Sequence, residues 1–232
     1  MNLDTKLVVL NQIYKIYDEF AATLDVACKQ YCAQCCTRNV TLTTLEGYKI
    51  AHYLISNGKS DLFEKLKDAS HKKRFQPLTT TNQLAEICMR GDEPPEEEND
   101  PSWGRCPFLT DNECPVYPVR PFGCRCFVSK QNCSETGYAD TEPFVIAVNN
   151  VFLQFIEHID AQGFSGNLTD VLLFMASDNN RQCYKDSTLT NPCDGLISNA
   201  PIKVVLVSPE HKDKAEPILR SLQSIKVPRE QI

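Results

Sequence analysis

Two cysteine groups constrain this chain more than any other feature. The first is Cys28-x3-Cys32-x2-Cys35-Cys36. The second is Cys106-x7-Cys114-x9-Cys124-Arg125-Cys126, with Cys133 just beyond. Thiolates three residues apart can bend round one ion, because the intervening turn brings both sulfurs to one side. Cys35 and Cys36 are adjacent and point in different directions, so they serve two metals, or one ligates while the other packs. No histidine falls in either group; His52, His71, His158 and His211 lie elsewhere. An all-thiolate donor set suits Zn²⁺ or an iron–sulfur cluster. Binding of a structural zinc contributes about 10–16 kcal/mol, whereas a whole domain is stable by only about 5–15 kcal/mol. A metal joining the two groups could therefore decide whether residues 103–133 are ordered at all.

The compartment decides how twelve cysteines are read. The opening residues carry charge early and lead into an amphipathic pattern, unlike the apolar core of a secretory signal. No segment approaches the roughly 18 apolar residues needed to cross a membrane. The expected compartment is the cytoplasm, where thiols stay reduced and a dense cysteine pattern points to metal or redox chemistry. A disulfide framework would require an export route that the sequence does not display. The net charge of -6 disfavours sequence-independent nucleic-acid binding. Neither nucleic acid nor membrane is an expected partner, and a protein partner is left open. A hydrophobic content of 42% over 232 residues suffices for an ordinary core.

Periodicity predicts a mainly α fold, with helices around an irregular cysteine-rich metal-binding region. Leu7, Leu10, Tyr14, Tyr17, Ala21 and Leu24 form one face of a helix over residues 4–27, which leads into Cys28. Thr43-Thr44-Leu45-Glu46 reads as a capping box opening a helix to residue 57, with Gly58 as its stop. Ser60 caps a third helix over 61–75. A fourth runs over 82–90 and ends at Gly91; Cys88 within it reads as packing. The acidic, Pro-rich stretch 92–102 is a solvated loop. Thr141-Glu142-Pro143 opens a helix that ends at Gly163, and Asn167 caps another over 168–179. The only convincing strand is 202–207 (IKVVLV), followed by a last helix over 217–225. The expected organisation is a helical cysteine-cluster domain over 1–163 and a C-terminal helical extension over 164–232, packed on the same core.

The order of motifs resembles the YkgJ-type cysteine-cluster family, described as a zinc- or iron-chelating domain and also as iron–sulfur proteins. The resemblance rests on Cys35-Cys36, the stretch from Thr43 to Glu46, Cys106-Pro107-Phe108-Leu109, Cys114-Pro115-Val116-Tyr117, Arg120-Pro121, and Cys124-Arg125 with Phe127 beyond. It spans about Cys28 to Cys133. The chain departs from the family in having three residues between Cys28 and Cys32 instead of two, and in Ala33 and Val128. The metal ligands expected are Cys28, Cys32, Cys35, Cys36, Cys106, Cys114 and Cys124. Arg105, Arg120 and Arg125 stand among them to offset an anionic centre. Cys126, Cys133, Cys183 and Cys193 are left without a role.

No dinucleotide fingerprint, phosphate-binding loop or H-E-x-x-H stands in the sequence, and Cys32-Ala33-Gln34-Cys35 lacks the βαβ context of a thioredoxin-like motif. The expected function is a cytoplasmic metal-binding protein with an iron–sulfur cluster in a structural or electron-transfer role. Zn²⁺ is the alternative cofactor; the cluster is favoured because one zinc uses four thiolates and leaves others over. The alternative function is an enzyme, a group transferase related to protein methyltransferases, with the cluster as scaffold or redox site.

Overall fold

A computed structural model describes residues 1–226. The fold is mainly helical, as expected, with one small antiparallel sheet. Helix α1 spans Leu3–Ala21, and the Asn2 side chain accepts from Thr5 N–H at 2.9 Å as its cap. It stops six residues earlier than its apolar periodicity suggests. The Thr23 hydroxyl takes the Phe20 carbonyl, and the chain then leaves the helix so that Ala27 N–H reaches Ser129 O at 2.8 Å. That tertiary pairing outweighs local propensity.

Strand β1 (Thr41–Thr43) runs into α2 (Thr44–Ser56), whose capping box is formed by Thr43 and Glu46. Helix α3 (Asp61–Ala69) is shorter than expected, and Ser60 makes no side-chain cap. Its C-terminal end is closed by the Ser70 hydroxyl and the Arg74 guanidinium, which bond Lys67 O and Ser70 O. Helix α4 (Thr81–Arg90) has its own capping box from Thr80 and Gln83 and ends on left-handed Gly91. Cys88 on α4 is exposed, which corrects its reading as a packing residue. Residues 103–133 are irregular apart from single turns, of which α5 (Phe122–Arg125) is one; α6 (Cys133–Thr136) follows.

Helix α7 (Pro143–Ile159) opens on Pro143 as expected. It ends before Gly163, which closes a turn onto Asp160 O. Strand β2 (Phe164–Asn167) pairs with β1 on one side and with β3 (Leu196–Ser198) on the other, in the register Leu42↔Gly166↔Leu196. The single helix expected over 168–179 is two, α8 (Leu168–Ala176) and α9 (Asp178–Lys185). Extended Ser177 breaks the run and caps α9 through Asn180 N–H. The strand expected at 202–207 does not form. Its backbone is satisfied by side chains of α7: Gln154 bonds Val204 O and Leu206 N–H, and His158 Nδ1 accepts from Ile202 N–H. Helix α10 (Lys212–Gln223) starts earlier than expected and carries Pro217 inside it.

One buried cluster runs from Leu3 to Leu222 and takes in α1, α2, α7, α8 and α10. At its centre Tyr17 meets Phe122 edge-on at 4.7 Å and Phe152 at 5.1 Å. Phe122 thus anchors the second cysteine segment in the core, because burying a large ring is worth about 1.5–3 kcal/mol. Cys106, Cys114, Cys124 and Cys126 pack against the same cluster. Among the described residues no helix is long and apolar enough to cross a membrane.

Candidate metal centre

The two cysteine groups are fastened together by backbone. Thr37 and Arg105 form an antiparallel bridge. Beside it Cys106 N–H donates to Cys36 O at 2.9 Å and Arg38 N–H to Gly104 O at 3.0 Å. Gly104 has φ 127°, a backbone conformation that side-chain-bearing residues rarely adopt, so the turn into the bridge favours glycine. From Cys106 the chain turns through Leu109 N–H to Cys106 O, then makes a tight hairpin between Thr110 and Glu113. Asp111 and Asn112 take positive φ at its tip, where such short polar side chains are tolerated. The hairpin returns Cys114 beside Cys106. A 3₁₀ turn at Tyr117–Val119 and Pro121 then lead into α5, which carries Cys124.

The first group is built more loosely. Ser129 N–H donates to Cys28 Sγ at 3.2 Å. A turn from Lys29 O to Cys32 N–H, with Tyr31 at φ 70°, takes up the third residue between Cys28 and Cys32. Cys35 and Cys36 are adjacent, and each thiol is the strongest influence on the other's titration.

All seven expected ligands, Cys28, Cys32, Cys35, Cys36, Cys106, Cys114 and Cys124, line one cavity of about 310 Å³. Cys126 does not line it; its thiol turns back on Gly123 O at 3.7 Å. Cys133, Cys88, Cys183 and Cys193 stand outside as well. Among the described residues no three Cys, His, Asp or Glu side chains converge closely enough to hold a single ion as they stand. The sulfurs are spread round the cavity wall instead of drawn to one point.

The three arginines expected to offset the thiolate charge divide. Arg105 is exposed and bonds Asn112 at 2.9 Å. Arg125 lines the cavity, but its guanidinium lies over the Tyr14 ring at 4.3 Å. Arg120 lines the cavity and stacks on Tyr117 at 4.0 Å, and its Nε is buried with no hydrogen-bond partner. Arg38, which the sequence reading passed over, has a buried Nε in the same condition and acts electrostatically on Cys106. Its position two residues after Cys36 was the available signal. A buried donor without a partner is expensive. The one on Arg120, which stands on the cavity wall, fits a centre with anionic sulfur that would accept from it. The donor set therefore fits a thiolate-bound metal.

The family model for CxxCxxCC, "Putative zinc- or iron-chelating domain", matches residues 27–144. The chain belongs to the CxxCxxCC family. No curated protein and no solved structure matches it. The CxxCxxCC span contains every cavity-lining cysteine and ends before Cys183 and Cys193.

Within the CxxCxxCC cavity the thiols are not equivalent. The Cys35 hydrogen bond holds Cys36 below the usual thiol value, and the same interaction pushes Cys35 up. Burial pushes Cys106 up to about 11 and raises Cys114 and Cys124 too. Cys36 is therefore the sulfur most ready to bind as thiolate, with Cys35 carrying the shared proton. The raised thiols Cys106, Cys114 and Cys124 give up their protons more readily to a cation that stabilises their charge.

Proposed function

We propose that the cavity holds an iron–sulfur cluster on cysteine thiolates, in a reducing compartment such as the cytoplasm, with a structural or electron-carrying role. One observation carries this reading: seven cysteines from two distant stretches line a single cavity. Sulfurs spread round about 310 Å³, with no three donors among the described residues drawn to one point, suit a multi-atom cluster better than a single tetrahedral ion. Twelve free thiols fit a reducing compartment.

Such a cluster, when bound, supplies one-electron redox chemistry whose potential depends on hydrogen bonds to sulfur and on exposure. The chain's own residues set those conditions. Arg120 supplies a buried N–H donor on the cavity wall, and the Arg38 charge acts on Cys106. Tyr17, Phe108 and Val116 wall the inner side and exclude water. Cys35 is exposed and marks the solvent side.

The test is expression with iron supplied and purification without oxygen. A brown protein with iron and acid-labile sulfide in comparable amounts is the expected result. A colourless protein with stoichiometric zinc, unchanged when iron and sulfide are offered, would overturn the reading.

A further inference from the structure

Glu46 does more than cap its own helix. In a capping box the carboxylate reaches back to the N-cap backbone N–H, and here Oε2 does so, accepting from Thr43 N–H at 3.0 Å. The other oxygen is used elsewhere. Oε1 accepts from Tyr14 O–H at 2.7 Å and from Phe122 N–H at 2.7 Å. Glu46 is 2% exposed, so these donors define its surroundings. One side chain of α2 thus joins α1 to the first residue of α5.

Helix α5 depends on that contact. Its N-cap is Pro121, which makes no side-chain cap. The Phe122 N–H at its start is therefore satisfied by a carboxylate from another helix, which also suits the positive end of the turn. Cys124 follows two residues later, and its N–H closes on Pro121 O at 3.0 Å, so the position of Phe122 is passed to the thiol within one turn. On the opposite side Arg125 stacks on the same Tyr14 ring that donates to Glu46.

We propose that Glu46 is a positioning residue of the metal centre, holding α5, and through it Cys124, at the place the thiol cavity requires. The inference rests on the reading of Cys124 as a ligand. Glutamine cannot replace the carboxylate here. Its single carbonyl can face Tyr14 and Phe122 or face Thr43, and its NH₂ then meets a donor on the other side.

The test uses the full chain, reduced and metal-free, titrated anaerobically with Co²⁺ alone. The sulfur-to-cobalt charge-transfer bands report the ligand geometry, and competition with a chelator reports affinity. Glu46→Gln is expected to keep the wild-type circular dichroism, lose about 10–100-fold in Co²⁺ affinity, the usual effect of losing a partner behind a ligand, and shift the bands. Glu157→Gln is the control. Glu157 is an equally buried carboxylate that accepts from Asn82 N–H and Ala200 N–H and does not line the cavity. It is expected to leave affinity and bands unchanged. Wild-type affinity and bands in folded Glu46→Gln would overturn the proposal. An equal loss in Glu157→Gln would also overturn it, by showing general loosening. If Glu46→Gln does not fold, Tyr14→Phe removes one donor and keeps the ring; shifted bands support the proposal and unchanged bands overturn it. A wild-type protein that takes up no Co²⁺ would instead overturn the thiolate centre itself.

Discussion

A buried thiol becomes a metal ligand only when it loses its proton, and the cavity makes that loss uneven. Burial holds Cys106 at about 11 and, outside the cavity, Cys126 at about 12. Both stay protonated at neutral pH in the metal-free fold, and a metal binding Cys106 must displace its proton. Apparent affinity should then rise with pH, about tenfold per unit for each proton released, and the contribution of Cys106 should level off as pH passes about 11. Metal-free stability should move the other way. An unfolded cysteine titrates near 8.5, so between about 8.5 and the raised values the folded chain holds more protons than the unfolded one, and stability falls as pH rises. Chelator competition and denaturant melts across this range check both arms. Affinity that is flat with pH would mean that the thiols do not titrate on binding. Arg38 belongs to the same scale. Its buried Nε and its electrostatic effect on Cys106 follow from tertiary placement, for which its position two residues after Cys36 was the one signal in the sequence.

The elements around the cavity are held by close contacts of unequal consequence. A Cβ on Gly123 would stand 2.8 Å from the backbone oxygen of Thr41, so Gly123→Ala must push α5 off β1. A Cβ on Gly47 would meet Val171 Cγ1 at 2.5 Å, between α2 and α8. Overpacking costs about 1–3 kcal/mol in either place. The two variants are expected to lose similar stability in denaturant melts, but only Gly123→Ala should also lose metal affinity, because Cys124 is the next residue. Equal metal affinity in both would detach α5 from the centre. These elements were legible in the sequence to different degrees. The capping box at Thr43 and Glu46, the glycine stop at Gly91 and the proline start at Pro143 all encode local geometry, and they were read correctly. The sheet was not. Its strands are three or four residues long, and β2 contains a glycine, so alternation has no room to appear. The IKVVLV run looked like a strand because it is apolar and β-branched, yet Gln154 and His158 took its backbone bonds. Ser177 looked like helix interior until its side chain proved to cap the next helix.

Across the whole molecule, stability is divided between a core that any helical protein could use and a cysteine segment that leans on it. Helices α1, α2, α7 and α8 bury the core among themselves. Residues 104–126 enter that core with Phe108, Val116 and Phe122, pack Cys106, Cys114, Cys124 and Cys126 against it, and are held besides by single turns, the Glu46 bond to Phe122 and the bridge to Thr37. The two cysteine groups were legible from spacing, and the resemblance to the family picked out the seven that line the cavity. What spacing could not supply was the backbone joint between Cys36 and Cys106, which depends on Gly104 and on how the chain returns after the acidic loop. The central claim is that two stretches 70 residues apart in sequence, ending at Cys36 and beginning at Cys106, build one metal centre. Metal content of single variants, each purified folded and without oxygen, tests it most directly. Cys36→Ser and Cys114→Ser should each lose most of the metal, because one ligand from either stretch opens the same centre, while Cys183→Ser keeps the wild-type content. Full metal in either Cys36→Ser or Cys114→Ser, with loss confined to the other, would contradict a shared centre.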